Sequence, residues 1–316
     1  MTDSEWIVGE DESGARLDKF LAAPGRLGSR ARAFAALERG KVFRNGAEAA
    51  VPDAATRIAP GDIVRVWMDR PGSAKARHSG QTQIGDLEIL FEDDALLVVN
   101  KPAGLLSVPL ERKSDAPSVY EQIEDHFRPH GKRRPFVVHR IDQDTSGLVV
   151  FAKDARAQSR LKAQFKRREP ARIYLAVVYG HPSPSEGRWR DHLVWDEKAL
   201  IQKETHPRDP EGQEAISEYR VLESFRDTSL IEVRLHSGRR NQIRIQARLR
   251  GHTLVGERRY TYGPDALRTI QFERHALHAY RLAFDHPTDS RALEFEAPPP
   301  RDFAALLERL RGRRSP

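Results

Sequence analysis

The stretch FVVHRIDQDTSGLVVFAKD, residues 136–154, places a polar loop between two apolar segments. The segments Phe136–Val138 and Leu148–Ala152 are predicted to be strands, because short apolar runs bounded by turn residues are typical of buried strands. The loop between them, His139–Gly147, carries two aspartates, two hydroxyl side chains and a glycine. Since a loop anchored between buried strands can present a side chain rigidly to a substrate, this stretch is a candidate functional loop.

The spacing of the two aspartates suggests several kinds of site. A calcium-binding loop needs a carboxylate at its twelfth position, and counting from Asp142 that position is Lys153, which excludes this interpretation. An aspartate-nucleophile phosphotransferase has the pattern DxDx[TV] with magnesium. Here the fifth position is Ser146 and His139-Arg140 interrupts the preceding strand, which disfavours that class. An ordinary hairpin loop whose Asp and Ser side chains cap backbone amides also fits, and composition alone favours it.

Other segments between residues 85 and 305 predict further strands and a few helices. LEILFEDDALLVVNKPAGL at 87–105 contains two apolar runs separated by acidic residues, and SLIEVRLHSG at 229–238 alternates as a strand does. Because strands and helices do not alternate regularly, we expect an α+β domain with a mixed, mainly antiparallel sheet. A closing amphipathic helix is predicted from apolar residues at helical spacing, namely Phe303, Leu306, Leu307 and Leu310.

A smaller unit, residues 14–70, precedes this domain. Short strands with turns at Asn45-Gly46 and Pro60-Gly61-Asp62 are predicted in its second half. Residues 71–84 are rich in Pro, Gly, Ser and charge and are predicted to be a linker, while residues 306–316 form a helix end and basic tail. In the first half of residues 14–70, apolar spacing predicts two helices. The first is indicated by Leu17, Phe20 and Leu21, and the second by Ala33, Phe34 and Leu37.

Composition narrows the class of function. The chain has 316 residues, no cysteine, a net charge of +7 and a pI near 9.7. Without cysteine there is no disulfide, thiolate chemistry or cysteine-ligated zinc, as in a reducing cytoplasm. The acidic start lacks the apolar core of a signal peptide, and no apolar run approaches the roughly 20 residues of a membrane span. We therefore expect a cytoplasmic protein without a membrane partner, and the basic charge favours a polyanion.

Four motifs resemble those of the RluA family of pseudouridine synthases. HRIDQDTSGLVVFAK, from His139, resembles the signature HRLDxxTSGLLVxAK. ARIYLAVVYG (171–180) resembles KxYxAxxxG, and GQEAISEYRVL (212–222) resembles GKxAxTxYxV. SGRRNQIRIQARLRGHTLVGERRYTYG (237–263) resembles TGRTHQIRxHLxxxGxPIxGDxxYG. The resemblance covers most of residues 85–305 and implies the catalytic domain of a pseudouridine synthase.

The N-terminal unit resembles the small helix-helix-strand RNA-binding module named after ribosomal small-subunit protein four. The matching residues are Arg16-Leu17-Asp18, Ser29-Arg30, Gly40-Lys41-Val42, Asn45-Gly46 and Gly61-Asp62. A solvated helical surface is the alternative interpretation of its basic residues. By the resemblance, a positive face for RNA phosphates is expected from Arg26, Arg30, Arg32, Arg39, Lys41 and Arg44.

The resemblance implies an isomerase that converts uridine to pseudouridine in structured RNA, either rRNA or tRNA, with no metal, no cofactor and no DNA partner. The reaction breaks the glycosidic bond, rotates the uracil and rejoins it through carbon. A carboxylate can attack the sugar or base, or take the sugar's neighbouring proton, and later leave. By resemblance Asp142 is that carboxylate, Arg244 its ion-pair partner and Tyr174 an acid-base residue that stacks on uracil. Arg140 would enter the RNA stack when the uridine flips out, and Arg239 would bind RNA.

The chain departs from the family pattern at four positions: Asn241 stands for His, Arg172 for Lys, Glu257 for Asp and Ser237 for Thr. The Arg and Glu replacements preserve charge. Asn241 removes a titratable group, and we expect this change to affect substrate contacts.

Some interpretations stay open. The run 243–250 alternates and by itself predicts a strand, whereas the family has a helix there. His275 and His278 are spaced to hold a metal, but without a third ligand we interpret them as packing and hydrogen-bonding residues, and Asp144 as a loop cap. Two other functions are a catalytically silent RNA-binding or ribosome-assembly factor and a hydrolase that releases uracil. The oligomeric state is not readable from the sequence.

Overall fold

The computed structural model describes residues 4–67, 82–84, 87–109, 116–128, 134–265 and 268–312. The chain divides into two compact units, residues 1–82 and 83–316. Most of the predicted linker, residues 71–81, lies outside the described residues, as does the end of the predicted tail, 313–316. None of the helices in the described ranges is long and apolar enough to span a membrane.

The first unit combines two helices with a four-stranded antiparallel sheet in the strand order β1-β4-β2-β3. Its elements are α1 (Leu17–Leu21), α2 (Arg30–Glu38), β1 (Ser4–Ile7), β2 (Val42–Arg44), β3 (Ala47–Ala49) and β4 (Ile63–Val66). Ser29 caps α2 by accepting a hydrogen bond from the backbone of Arg32 at 3.2 Å.

Two features of this unit differ from the prediction. β1 lies before residue 14, where the predicted unit began, and pairs with β4. Phe34, expected among the apolar contacts of α2, is 37% exposed, whereas Ala36 is buried together with Ala33 and Leu37. The buried face of α2 is therefore lined mainly by small residues.

The second unit is built on a twelve-stranded sheet, which confirms the predicted α+β class with a mainly antiparallel sheet. Of the strand pairs whose register is described, only β9 with β15 is parallel. The sheet order is β12-β11-β13-β14-β10-β15-β9-β7-β6-β5, with β16 beside β15 and β8 beside β9. The strands are β5 (Thr82–Ile84), β6 (Leu87–Glu92), β7 (Leu96–Lys101), β8 (Phe136–Val137), β9 (Ser146–Ala152), β10 (Ala171–Tyr179), β11 (Glu186–Asp196), β12 (Ile201–Glu204), β13 (Gln213–Ser224), β14 (Thr228–Leu235), β15 (Leu277–Asp285) and β16 (Ala292–Glu296).

The unit extends beyond its predicted bounds at both ends. Residues 82–84, assigned to the linker, form β5 in this sheet. The predicted tail began at residue 306, inside the last helix, Arg301–Arg311. The four apolar residues predicted for that helix, Phe303, Leu306, Leu307 and Leu310, are all buried in a core shared with β10. These contacts make the helix part of the second unit.

Four helices belong to this unit: α3 (Val119–Phe127), α4 (Ala155–Arg167), α5 (Gln242–Leu249) and α6 (Arg301–Arg311). The sequence leaves residues 243–250 open between the strand that local alternation suggests and the helix of the family, and the structure has a helix there. The pattern misleads because α5 buries polar as well as apolar residues. Gln246, fully buried, accepts a hydrogen bond from Ser217 at 2.6 Å and donates to Asp191 at 2.7 Å.

The candidate loop leads into β9, which lies in the middle of the sheet. All seven of its residues are buried, and its first two pair with His278 and Ala279 of β15. Gly147 has φ of +113°, and a side chain there would collide with the backbone carbonyl of Ala279. Only glycine allows this close approach of the two strands, which brings the end of the loop to His275 and His278.

We predict that Gly147→Ala lowers the free energy of unfolding by more than about 3 kcal/mol, because backbone strain of about 1–3 kcal/mol adds to the collision with Ala279. Gly104→Ala is the matched control. It also has positive φ, +87°, but open space around the missing side chain, and should cost about 1–2 kcal/mol. Urea denaturation measures both losses, and equal losses would contradict the role assigned to the Ala279 contact.

Candidate active site

Asp142 projects from the loop between β8 and β9, and buried side chains fix the backbone on both sides of it. Lys101 is fully buried, and its Nζ donates to three carbonyl oxygens at 2.7–2.8 Å, including that of Gln143. The hydroxyl of Ser107 donates to the carbonyl of Ile141 at 2.8 Å and accepts from its amide at 3.2 Å. Because the neighbours on both sides are held, the position of the Asp142 backbone is well defined.

Two buried histidines hold the end of the same loop. His275 Nε2 is 2.8 Å from the hydroxyl of Thr145, and His278 Nδ1 is 2.9 Å from that of Ser146. His278 Nε2 donates to the carbonyl of Ala297 at 2.8 Å, so its Nδ1 accepts. Burial lowers the pKa of both histidines to about 4, which keeps them neutral. These bonds confirm their interpretation as packing and hydrogen-bonding residues, and no group of three or more potential metal ligands occurs within the described ranges.

Asp144 does not act as expected. Its backbone carbonyl accepts a hydrogen bond from Arg274 at 3.1 Å. In the part of the chain that the structure describes, its exposed carboxylate makes no hydrogen bond, so the expected loop-capping contact is not seen.

The carboxylate of Asp142 is tied through one oxygen to the start of α5. Its Oδ2 accepts hydrogen bonds from Nη1 of Arg244 at 3.1 Å and from Nδ2 of Asn241 at 2.6 Å. The side chain is 24% exposed, and its Oδ1 has no hydrogen-bond partner among the described residues. One oxygen is therefore held by the protein while the other is available to a substrate.

Arg244 is itself held by a second carboxylate. Its Nε and Nη2 donate to the two oxygens of Glu257 at 2.6 and 2.8 Å. The side chain of Glu257 is fully buried and also accepts from the backbone amides of residues 258–260. Burial alone would raise the pKa of Glu257, but the hydrogen bonds and charge of Arg244 hold it at about 2. The guanidinium is thus clamped between Asp142 and Glu257.

Asn241 lines both cavities, and an effect on substrate contacts stays a prediction. Its side chain contacts Asp142, and its Oδ1 accepts a hydrogen bond from the hydroxyl of Tyr260 at 3.2 Å. That hydroxyl accepts in turn from the amide of Gln202 at 2.7 Å. Asn241 has φ of +54°, a left-handed conformation that asparagine tolerates better than most residues. The departure from the family motif was the only sequence signal for this contact.

Tyr174 lies on β10, paired with Val233 on one side and Ala279 on the other. Burial raises the pKa of its hydroxyl to about 12. The positive charge of Arg172 opposes this rise in pKa, and the negative charge of Asp142 adds to it. The phenol is therefore neutral near pH 7 and able to donate a proton or hydrogen bond. No partner for the hydroxyl occurs in the described segments of the chain.

A cavity of about 500 Å³ joins these groups, within the size range of small-ligand sites. A second cavity, of about 780 Å³, shares Asp142, Asn241 and Arg244 with it. Arg140 is exposed and lines both cavities, while Arg239 lines the first. The structure therefore brings together Asp142, Tyr174, Arg244, Arg140 and Arg239, which were predicted from separate motifs.

The basic residues predicted in the N-terminal unit differ in how their charges are used. Arg26 binds the carboxylate of Glu12 at 2.8 Å and stacks on Phe20 at 3.4 Å, so its guanidinium is engaged within the unit. Arg30 pairs with the buried carboxylate of Asp18 and keeps an exposed side chain. Arg32 is exposed and Lys41 half-buried. RNA binding by these four residues stays a prediction.

Comparison with known proteins agrees with this fold. A sequence profile described as RNA pseudouridylate synthase matches residues 95–249. The RNA pseudouridine synthase YlyB of Bacillus subtilis is 36% identical over 314 residues, covering 98% of this chain and 99% of that protein. The ribosomal large subunit pseudouridine synthase D of Zymomonas mobilis is 37% identical over 318 residues, covering 98% of each. The human RNA pseudouridylate synthase domain containing 4 has a TM-score of 0.57 at 23% identity, over 71% of this chain and 92% of its own.

The profile match and the similarity to these synthases over nearly the whole chain together define an isomerase of the pseudouridine synthase class. The relatives cover nearly the whole chain at more than 30% identity. The chain belongs to the RluA family of RNA pseudouridine synthases. The predicted enzyme class, reaction and RNA partner are thereby confirmed.

We predict that Glu257→Gln lowers the free energy of unfolding by about 3 kcal/mol at neutral pH, because it removes one partner of a buried ion pair. The pKa of Glu257 is about 2 in the folded protein and 4.5 ordinarily. Its ionisation therefore contributes stability that is complete above about pH 4.5 and is lost as the pH falls towards 2.

In urea denaturation, the difference between wild type and Glu257→Gln should shrink across that pH range. Glu169→Gln, at the exposed pair with Arg167, is the control and should have no measurable effect. A difference that stays constant from neutral pH to pH 3 would contradict the ion-pair explanation.

Proposed function

We propose that this enzyme isomerises a uridine in the RNA of the large ribosomal subunit, in the cytoplasm, with Asp142 as the reacting carboxylate. One observation carries this assignment. The Oδ2 of Asp142 is held by Arg244 and Asn241, while its Oδ1 has no hydrogen-bond partner among the described residues. The choice of ribosomal RNA rests on relatives named for the large subunit, such as that of Zymomonas mobilis. Transfer RNA is the alternative substrate that the experiment below distinguishes.

In this proposal each residue has a different task, which its contacts support. Arg244 balances the charge of Asp142 and fixes its orientation, since it is clamped by Glu257 on the opposite side. Asp142 uses its other oxygen to attack the sugar or base, or to take the sugar's neighbouring proton. Tyr174 supplies a neutral phenol beside the base, able to donate to it and to stack on it. Because the same carboxylate forms and releases the bond, this proposal needs no cofactor.

The target nucleotide must leave its helix to reach this cavity. The glycosidic bond has to lie beside Asp142, which a base stacked inside a duplex cannot do. Arg140 is exposed and lines both of the cavities that Asp142 lines. We assign it to the space that the flipped base vacates, where a guanidinium can stack on neighbouring bases.

We predict that Asp142→Asn abolishes tritium release from RNA labelled at carbon five of uracil. The RNA is isolated from a host that lacks this gene, and ribosomal and transfer RNA are tested separately. The substitution keeps the shape of the side chain but removes its nucleophilic and basic character. Asp144→Asn is the matched control, because it is exposed and close in sequence, and should retain activity.

The other outcomes decide against parts of this proposal. If wild type binds RNA but releases no tritium from either fraction, the protein is a silent binding factor. Free uracil among the products would indicate a hydrolase. Equal activity of wild type and Asp142→Asn would remove the role assigned to this carboxylate.

We further predict that Asn241→Gly lowers kcat about 10-fold or more with little change in KM. It removes a hydrogen bond to a charged group, worth roughly 1.5–3 kcal/mol, at a backbone position that glycine tolerates. Asn241→Asp places a second carboxylate against Asp142, so its activity should rise as the pH is lowered from about 8 to 6. Asn241→His restores the family residue and serves as the control. Wild-type kinetics in Asn241→Gly would contradict the positioning role.

A further inference from the structure

Arg172 is a buried cation without a bound anion in the part of the chain that the structure describes. It lies on β10 two residues before Tyr174, so the two side chains share one face of the strand and line the same cavity. Only 9% of its surface is exposed. Its Nε is buried without a hydrogen-bond partner, and no carboxylate among the described residues pairs with its guanidinium.

Other deeply buried arginines of this unit are paired. Arg244 is clamped by Glu257, and Arg274 binds both oxygens of Asp302 at 2.7 and 3.1 Å. An unpaired buried charge is costly, because it loses hydration without gaining a partner. Burial lowers the pKa of Arg172, as expected for such a cation. An unpaired buried guanidinium does not stabilise the fold by itself, so its burial is better explained by the binding of a ligand.

Packing holds the guanidinium of Arg172 in place. It lies over the ring of Phe165 at 5.5 Å. It also lies against Gly238, where a side-chain carbon would come within 2.5 Å of Nη1. The absence of a side chain at Gly238 therefore gives the guanidinium its room, and its donors are left for a bound group.

Two further arginines make this end of the cavity positive. Arg168 and Arg239 line it together with Arg172. Arg168 is 3.5 Å from a carboxylate oxygen of Glu214, and Arg239 donates to Gln213 at 2.6 Å. Both are therefore anchored at the rim, while Arg172 lies deeper with its donors unused.

We infer that Arg172, supported by Arg168 and Arg239, forms a phosphate-binding subsite that holds a backbone phosphate of the RNA strand entering the cavity. The inference rests on the proposed function, because the cavity is the one that holds the target uridine. A planar guanidinium matches two phosphate oxygens at once, which the lysine of the family pattern cannot do. The bound phosphate supplies the anion that the described residues do not.

The variant Arg172→Met tests the subsite, because it keeps the bulk of the side chain and removes its charge. Its activity is measured as tritium release from large-subunit RNA. We expect kcat/KM to fall about 10- to 100-fold, mainly through KM, because a charge-assisted contact is lost. The slope of log kcat/KM against log salt concentration should become shallower by about 0.7, the value for one phosphate contact on single-stranded nucleic acid. Arg188→Met, at an exposed ion pair with Glu218, is the control with the same change of charge.

A second variant, Gly238→Ala, keeps the charge and displaces the guanidinium, and should raise KM with an unchanged melting temperature. This variant decides the question if Arg172→Met fails to fold. Wild-type kcat/KM in a folded variant would overturn the subsite. A loss of activity with an unchanged salt slope would do the same, because it indicates a structural role.

Binding of fluorescent oligouridylate, measured in parallel, separates this inference from the proposed function. If wild type is inactive on every RNA, the proposed function fails, and the salt slope of binding then decides the subsite. A slope that Arg172→Met makes shallower and Arg188→Met does not supports the subsite. Equal slopes in the two variants overturn it.

Discussion

The clamp on Arg244 is the interaction on which the site depends. One guanidinium, from the first turn of α5, joins the segment that carries Glu257 to the loop of Asp142, which lies about one hundred residues earlier in the chain. Glu257 is fully buried, and besides Arg244 it accepts hydrogen bonds from three backbone amides. Among the described residues, Arg244 is the cation that pairs with it. Because the pair is planar and bidentate, it fixes the orientation of the guanidinium as well as its distance from Asp142.

The sheet makes this geometry possible by bringing β9 and β15 together in parallel. Gly147 allows their close approach, and the loop that precedes it is then held by Lys101 from β7 and by His275 just before β15. These groups are buried and polar, which is costly unless each finds a partner. Here Gln143 and Thr145 of the loop are among the partners, so these hydrogen bonds stabilise one conformation of the segment that carries Asp142.

The local pattern identified the candidate loop, but not its chemistry. Residues 136–154 predicted a polar loop between strands, and only the family motif distinguished Asp142 from a capping residue. The type of α5 stayed open because Gln242 and Gln246 are buried, so apolar periodicity does not mark its buried face. The deep environment of Arg172 was equally invisible, since it depends on which carboxylates lie nearby in space. Motif spacing predicts which segments meet, whereas partners and burial depend on side-chain packing.

The distribution of charge separates the proposed reacting group, Asp142, from the proposed phosphate subsite at Arg172. Arg244 contacts two carboxylates, Asp142 and Glu257, so its own charge is balanced and does not favour a phosphate. Arg172 lies elsewhere in the same cavity without such a partner in the described ranges. In the proposed complex, a backbone phosphate binds at Arg172. The hydrogen bonds of Asp142 are then left undisturbed. Binding energy from the backbone can then position the nucleotide while the Oδ1 of Asp142 stays available for the glycosidic bond.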